Sequence, residues 1–208
     1  MVSGIDPAQE ASRGRQSPLD SQRFSSFLKG IVSGPDPART RIIAIDGPSG
    51  AGKTSLSLTL ADELSRKGLT RPQVVSMDDL YPGWSGLSAG VELAAESVLE
   101  PLSRGVDGRF RRWDWSRNQR GDQVLVPAKD WLILEGVGSG ARNCRPYLAG
   151  LIWLEAEEPI RYRRTVQRDG DETRAHWPQW ARQEDELFRL DEIRGNADVV
   201  IDTSLLRI

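Results

Sequence analysis

Residues 47–54 of this 208-residue chain have the sequence GPSGAGKT and match the phosphate-loop pattern G-x-x-x-x-G-K-S/T at every position. They follow a short apolar run and precede leucines spaced four residues apart, which predicts a buried strand before the loop and a helix after it. Glycines let backbone N–H groups turn toward phosphate oxygens, and a helix N-terminus adds partial positive charge. The pattern therefore predicts a site for the triphosphate of ATP or GTP.

Within this loop, Lys53 is expected to bridge the β- and γ-phosphates, and the Thr54 hydroxyl is expected to bind Mg²⁺. The residues expected to contact the nucleotide are Gly47, Ser49, Gly50, Ala51, Gly52, Lys53, Thr54 and Ser55. The loop identifies a nucleotide site but leaves the reaction open.

The acidic pair Asp78-Asp79 follows the apolar residues 74–75 and is the first indication of a reaction. A carboxylate at the tip of the neighbouring strand could accept the proton of an attacking hydroxyl, an effect worth about 10²–10⁴-fold. A phosphate acceptor would have no proton to lose and would be repelled. Asp78 therefore favours an alcohol acceptor. The alternative is that Asp78 and Asp79 cap a turn or hold Mg²⁺ through water.

Residues 109–120 contain five arginines interleaved with aromatic residues. Such a stretch could bind single-stranded nucleic acid. It could also form a wall of a small-molecule site, in which an aromatic ring stacks on a flat substrate and Asp114 binds its hydroxyl groups. The third interpretation is an exposed β-ribbon with ordinary tryptophan packing.

Arg161, Arg164 and Arg168 recur at three- and four-residue spacing in residues 158–169, which predicts one cationic helix face. Beside a triphosphate, such a face can neutralise charge that spreads over the transferred group. We expect Arg164 and Arg168 to have this catalytic role, the alternative being a solvated arginine face. Further along, Trp177 and Trp180 are expected to pack the next helix onto the core.

The elements that must position these residues are five short apolar runs, each continuous rather than alternating, as strands buried on both faces should be. They lie at residues 42–45, 74–75, 131–134, 151–154 and 199–201. Helical patterns between most of them predict an α/β fold with a parallel sheet. The runs end in acids, and the carboxyl ends of parallel strands line the ligand crevice of such sheets.

The composition excludes several classes of function. With 28 Lys and Arg against 30 Asp and Glu, the net charge of −2 argues against a protein held to nucleic acid by its overall field. The single cysteine, Cys144, and the single histidine, His176, exclude a disulfide and a multi-cysteine or histidine-rich metal site. No apolar run approaches the roughly 20 residues of a membrane span, and the start lacks a signal-peptide pattern. We expect a cytoplasmic protein without nucleic-acid or membrane partners, and a homo-oligomer stays open.

Together, these segments resemble the uridine kinase family, in the nucleoside-kinase-like branch of the P-loop kinases. The matching segments occur in the order of the family and are residues 47–54, 76–81, 113–120, 134–136 and 160–169. The resemblance implies a three-layer P-loop fold with a five-stranded parallel sheet in the order 2-3-1-4-5 and a small lid, in a kinase domain at 39–208. Residues 1–17 are rich in Ser, Gly, Gln and Arg and have few large apolar side chains, which predicts a disordered tail. A weak helical pattern followed by a Gly-Pro-Asp-Pro break predicts an extra N-terminal helix and linker at 18–38.

The resemblance also implies an ATP- and Mg²⁺-dependent transfer of phosphate to an alcohol, such as a nucleoside 5′-hydroxyl. Asp78 then corresponds to the base and to a carboxylate linked to the metal, with Glu135 as a second carboxylate at the metal and substrate. Arg164 and Arg168 correspond to the lid over ATP. The residues that fall at the nucleoside site are Tyr81, Trp113, Asp114 and Asn118.

Several departures leave the acceptor open. Residues 113–115 are Trp-Asp-Trp where the family usually has Tyr-Asp-Phe, and Asn118 stands where the family has a histidine that contacts the base. Two other functions therefore stay under consideration. One is a nucleotide-binding protein without kinase activity. The other is a nucleoside monophosphate kinase that would clamp an acceptor phosphate with one of three arginines, namely Arg109, Arg111 or Arg112.

Overall fold

A computed structural model of the chain describes residues 22–32 and 39–205. Within the segment 18–38, where the sequence predicts an appended helix, the structure has helix α1, Gln22–Val32. The predicted tail at 1–17 lies outside the described residues, as do the rest of that segment and the last three residues of the chain. Within the described ranges, none of the helices combines the length and the apolar character needed to cross a bilayer.

The five predicted apolar runs form one parallel sheet. Its strands are β1 (Arg41–Asp46), β2 (Gln73–Ser76), β5 (Trp131–Glu135), β6 (Gly150–Glu155) and β7 (Val199–Asp202). They lie side by side in the order β2-β5-β1-β6-β7. Counted along the sheet strands alone, this is the predicted order 2-3-1-4-5, so the fold prediction is confirmed. The carboxyl ends of β1, β2 and β5 consequently meet at one edge.

The remaining elements cover the two faces of the sheet or project from its edge. The helices are α2 (Lys53–Arg66), α3 (Leu87–Ala94), α4 (Glu100–Ser103), α5 (Glu158–Asp169) and α6 (Asp171–Asp191), with a π-helical turn at Ala95–Leu99. An antiparallel hairpin outside the main sheet is formed by β3 (Gly108–Asp114) and β4 (Gln119–Val126). Short 3₁₀ turns occur at Met77–Asp79, Arg145–Tyr147 and Arg194–Asn196.

Alternate residues of the central strand β1 enter two separate cores, which is why its apolar run is continuous. Ile43 and Ile45 pack on the side covered by α1 and α2, where Phe24 and Leu60 are almost completely buried. Ile42 and Ala44 pack on the side covered by α3 and α6. The three-layer arrangement predicted from the sequence follows from this division.

Asp46, the last residue of β1, connects two loops at the edge of the sheet. Its carboxylate accepts hydrogen bonds from the backbone N–H groups of Gly47 at 2.6 Å, Gly138 at 3.0 Å and Gly140 at 2.7 Å. The side chain is completely buried, and burial raises the pKa of Asp46 to about 6, although these hydrogen bonds and Lys53 oppose the rise. One buried acid thus fixes the loop after β1 against the loop after β5.

This environment predicts a pH-dependent contribution to stability. Since the pKa of Asp46 rises from 3.8 to about 6 on folding, the folded state takes up a proton between these values, and ionisation costs stability as pH rises through them. Asp46→Asn cannot ionise. Urea unfolding from pH 4 to pH 7 should show the free energy of unfolding of the variant, relative to that of wild type, rising by about 2.5 kcal/mol. Asp122→Asn, at an exposed site, should run parallel to wild type, and a parallel curve for Asp46→Asn would contradict the account.

Candidate functional site

The loop of residues 47–54 connects the end of β1 to the start of α2. Gly47 and Gly50 have φ values of +138° and +79°, which side chains disfavour. A Cβ atom on Gly47 would lie 2.0 Å from the Leu154 carbonyl oxygen, and one on Gly50 would lie 2.3 Å from that of Arg161. Glycine is therefore required at both positions by the backbone conformation and by the close approach of β6 and α5.

The carbonyl groups of residues 47–51 all accept hydrogen bonds from side chains. The donors are Lys53 to Gly47 at 2.8 Å and Pro48 at 3.0 Å, Arg161 to Ser49 at 3.1 Å, Arg164 to Gly50 at 3.3 Å and Thr203 to Ala51 at 2.9 Å. Because these bonds hold five successive carbonyl oxygens, an anion at the loop meets N–H groups rather than carbonyl oxygens. This is the local arrangement that a phosphate requires.

The three arginines predicted on one face of α5 do not have the same surroundings. Arg161 and Arg164 hold the loop through its carbonyl oxygens, and Arg164 also donates to the Thr203 carbonyl at 2.8 Å. Arg168 instead forms a two-fold ion pair with Asp169, and both bonds are 2.6 Å long. These bonds raise the pKa of the Arg168 guanidinium. Of the three, Arg168 is the arginine that lines the cavity beside the loop.

A cavity of about 590 Å³ lies between the phosphate loop and the carboxyl ends of β2 and β5. The loop contributes Ser49 and Thr54 to its lining. The other lining residues are acidic, aromatic or small and polar, with one arginine among them, namely Asp78, Asp79, Glu135, Asp169, Tyr81, Trp84, Trp115, Trp177, Trp180, Ser76, Thr165, Thr173 and Arg168. The candidate base and the candidate phosphate site thus share one cavity.

The two central carboxylates differ in how they are held. Glu135 is almost fully buried, accepts a hydrogen bond from the Thr54 hydroxyl at 3.2 Å, and is also bonded by Ser76. Asp78 is exposed and lines the cavity. Desolvation raises the pKa of both acids, opposed by Lys53 in each case and by Arg168 at Asp78. A carboxylate with a raised pKa is a better proton acceptor.

The same oxygens are suited to Mg²⁺, which is usually bound through one or two carboxylates together with waters and substrate phosphates. Across residues 22–32 and 39–205, no cluster of three or more histidine, cysteine or acidic side chains is placed to hold a metal ion. The Thr54 hydroxyl, Glu135 and Asp78 could instead supply part of the coordination, with phosphate oxygens completing it.

The segment that carries Asp78 is fixed by the β3–β4 hairpin. Its 3₁₀ turn, Met77–Asp79, begins directly after β2. Three hairpin side chains reach it, namely Arg112 to Asp79 at 3.0 Å, Trp115 to the Asp78 carbonyl at 2.9 Å and Arg120 to the Leu80 carbonyl at 3.1 Å. The hairpin therefore orients the acid rather than only covering the cavity.

Five aromatic residues line the cavity beyond the acids, and we call them the aromatic wall: Tyr81, Trp84, Trp115, Trp177 and Trp180. The ring of Trp84 lies 5.1 Å from that of Trp115 and 6.1 Å from that of Trp180, at angles of 59° and 88°. Tyr81 donates its hydroxyl to the Val137 carbonyl at 2.7 Å. The wall is thus a largely apolar surface on the same cavity as the phosphate loop.

The residues predicted to bind an acceptor are only partly at this cavity. Tyr81 lines it, whereas Trp113, Asp114 and Asn118 do not. Asp114 accepts hydrogen bonds from Ser116 and from the backbone of Arg117 in the hairpin turn, and Asn118 is exposed there with a φ of 50°. The strand register shifts between Arg111 and Trp113, which changes the side chains that face the cavity beyond this point. The sequence did not predict this shift.

Two residues of α6 that sequence reasoning did not assign to the site lie at the loop. Glu184 accepts hydrogen bonds from the backbone N–H and the hydroxyl of Ser49, and Trp180 donates to the same carboxylate. Trp180 was predicted to pack the helix onto the core; it is buried there but also lines the cavity. The four-residue spacing of Trp180 and Glu184 on one helix face was the available signal.

The fold is shared with solved structures. A possible uridine kinase from Bacillus stearothermophilus superposes with a TM-score of 0.62 at 21% identity, covering 86% of this chain and 97% of that chain. The chain therefore has the fold of the uridine kinase-like P-loop kinases, which confirms the predicted resemblance. No family model matches the chain.

The curated relatives are kinases of nucleosides and nucleotides. Cytidylate kinase from Photobacterium profundum is 35% identical over 95 residues, which are 46% of this chain and 34% of the relative. The match thus spans about a third of the length of that relative. Uridine kinase from Limosilactobacillus reuteri is 24% identical over 147 residues, covering 63% of this chain and 66% of the relative. These matches support a phosphotransferase and leave its acceptor open.

The close approach at Gly50 yields a prediction about the loop. In Gly50→Ala, the new methyl group meets the Arg161 carbonyl at 2.3 Å and the backbone keeps an unfavourable φ, so we expect a loss of about 2–4 kcal/mol in unfolding free energy. Gly195→Ala is the matched control, since nothing lies within 4 Å of its Cβ position. Chemical denaturation of both variants compares the costs, and equal costs would show that the packing at the loop is not tight.

Proposed function

We propose that this chain is an ATP- and Mg²⁺-dependent kinase that transfers the γ-phosphoryl group to a hydroxyl group of a small molecule, with a nucleoside as the leading candidate. The observation that carries the proposal is the shared cavity: Ser49 and Thr54 of the phosphate loop line the same space as Asp78 and Glu135. A donor site and a proton acceptor on one cavity are the minimum that such a transfer needs.

The donor side is supplied by the loop. The N–H groups of the loop would bind the phosphates, except those of Gly47 and Ser49, which donate to Asp46 and Glu184. The Lys53 ammonium donates to the Gly47 and Pro48 carbonyls and would place its positive charge beside the β- and γ-phosphate oxygens. Thr54 and Glu135, already hydrogen-bonded to each other, would hold Mg²⁺. When bound, that ion neutralises charge on the same phosphate oxygens.

In the transfer, the acceptor oxygen forms a bond to the γ-phosphorus while the bond from that phosphorus to the β–γ bridging oxygen breaks, and ADP leaves. The proton of the acceptor hydroxyl passes to the Asp78 carboxylate. Arg168 lies on the cavity and stabilises the charge on the transferred group. Arg164 contributes by holding the Gly50 carbonyl, so its effect on the reaction passes through the shape of the loop.

The lining of the cavity favours an acceptor without a phosphate. It contains four carboxylates, Asp78, Asp79, Glu135 and Asp169, and one arginine, Arg168, so acids outnumber cations in the lining. A second anionic group would be repelled there. The aromatic wall offers a surface on which a flat or apolar group can pack. A nucleoside meets both conditions, and uridine is the first acceptor to test because uridine kinases are among the similar proteins.

The cytidylate kinase match favours a second candidate, a nucleoside monophosphate kinase. Such an enzyme needs cations that clamp the acceptor phosphate, and Arg109, Arg111 and Arg112 were the candidates. Arg112 is paired with Asp79 at 3.0 Å, Arg111 donates to the Gly121 carbonyl at 2.9 Å, and none of the three lines the cavity. The geometry therefore supports the hydroxyl acceptor better.

The role of Asp78 leads to a test of transfer. Asp78→Asn retains the loop but cannot accept the proton, so acceptor-dependent ATP consumption should fall about 10²–10⁴-fold. Binding of ATP, measured by calorimetry, should stay close to that of wild type. Lys53→Ala serves as the control that loses triphosphate binding. Equal ATP consumption by wild type and Asp78→Asn, or turnover that is independent of any acceptor, would instead support a nucleotide-binding protein without kinase activity.

A comparison of acceptors separates the two kinase candidates. Uridine and uridine monophosphate differ by one phosphate, which the acidic lining disfavours. Wild-type protein should therefore phosphorylate uridine at least about tenfold more efficiently, a difference that needs only about 1.4 kcal/mol. A coupled assay for ADP with each acceptor gives the ratio. A clear preference for the monophosphate would establish the second candidate.

A further inference from the structure

Glu184 is a buried carboxylate in direct contact with the phosphate loop. It is 2% exposed, and its Oε1 accepts hydrogen bonds from the Ser49 backbone N–H at 3.0 Å and the Ser49 hydroxyl at 2.6 Å. The Trp180 indole N–H donates to the same oxygen at 2.7 Å and lies 3.0 Å from the Ser49 hydroxyl. Desolvation raises the pKa of Glu184, and Lys53, the two Ser49 hydrogen bonds and Arg161 oppose the rise.

The same helix face also contacts the aromatic wall. The Trp180 ring lies 5.0 Å from that of Tyr81 and 6.1 Å from that of Trp84. One turn further along, Gln183 donates to the Trp84 carbonyl at 2.8 Å. Trp180 therefore has its ring in the wall and its N–H at the loop, so one side chain spans the two halves of the cavity.

Packing alone does not account for a carboxylate at this position. Burying an acid is unfavourable unless several hydrogen bonds compensate for the lost water, and an apolar side chain of similar volume would fill the same space without that cost. The three donors that compensate Glu184 all come from Ser49 and Trp180. What the acid provides is thus a connection between the loop and the wall.

We propose that Glu184 is a positioning residue for the transfer: together with Trp180, it fixes the aromatic wall relative to Ser49 of the phosphate loop and so sets the distance between the bound acceptor and the donor phosphate. The inference rests on the proposed function and adds a residue to it. Glu184 acts through Trp180 and Ser49 and has no direct contact with the reacting groups.

Steady-state kinetics with ATP and uridine test the proposal. Glu184→Ala and Trp180→Phe both break the connection, so the KM for uridine should rise about tenfold, the effect of losing one or two hydrogen bonds. The KM for ATP should change less than about twofold, because the backbone of the loop and Lys53 are intact. Glu184→Gln keeps an acceptor oxygen and should restore most of the effect. Asp185→Asn, an exposed neighbour on α6, is the matched control and should match wild type.

Equal changes in both KM values would show that the variants only loosen the fold, and unchanged values would show that the connection has no role. Either result overturns the proposal. A third result would also overturn the proposal. In it, Glu184→Gln does not restore the KM for uridine, and Glu184→Ala and Trp180→Phe change that KM by different amounts. Glu184 and Trp180 would then not act together.

Hydrogen–deuterium exchange tests the connection without any acceptor, so its outcome is independent of whether uridine is a substrate. Adding ATP and Mg²⁺ to wild type should slow exchange both in the loop at 47–54 and in the wall segment at 81–86. In Glu184→Ala and Trp180→Phe, the loop should still respond while the wall segment does not. If ATP and Mg²⁺ slowed exchange in the wall segment equally in wild type and in both variants, the inference would be overturned. This would hold even if the kinase activity itself were established.

Discussion

The chain of side-chain hydrogen bonds to the carbonyl oxygens of residues 47–51 is the interaction on which the rest of the site depends. The donors come from three separate places, the start of α2, the first turns of α5 and the residue directly after β7. The loop keeps its shape only if β6 lies beside β1 and β7 lies beside β6, because these strands place α5 and Thr203. The shape of the phosphate loop therefore depends on the order of the strands. Gly47 and Gly50, with positive φ values, allow the backbone to adopt that shape.

A second constraint is the concentration of acids around one lysine. Asp46, Asp78, Glu135 and Glu184 all have raised pKa values because they are desolvated, and Lys53 opposes the rise at each of them. Asp46 and Glu184 are satisfied by backbone and side-chain donors and hold structure together. Asp78 lines the cavity, and Glu135 accepts a hydrogen bond from the Thr54 hydroxyl. The same residue type therefore has different tasks, which are set by the available partners.

The sequence predicted what depends on local pattern. The five strands, their order and the phosphate loop followed from continuous apolar runs, from one motif and from the resemblance that the motif supported. Parts of the aromatic wall were predicted, since Tyr81 was expected at the acceptor and residues 109–120, which include Trp115, were one candidate for a wall. That these parts meet Trp177 and Trp180 could not be predicted, because the three segments are far apart in the chain and meet only through packing. Trp113, Asp114 and Asn118 do not line the cavity, since a register shift and a turn decide which hairpin residues reach it. The spacing of Arg164 and Arg168 predicted one shared helix face. It could not predict that Arg164 would bind the Gly50 carbonyl and Arg168 would pair with Asp169.

The most direct measurement is a crystal structure of the protein with Mg²⁺ and a non-hydrolysable ATP analogue. It gives the distance from the terminal phosphorus to the carboxylate of Asp78. The account predicts that the two groups face each other across the cavity with room for a single hydroxyl oxygen, about 3 Å from each. A nucleotide whose terminal phosphate points away from that carboxylate, or lies too far from it for one oxygen to reach both, would contradict the assignment of the base and of the transfer.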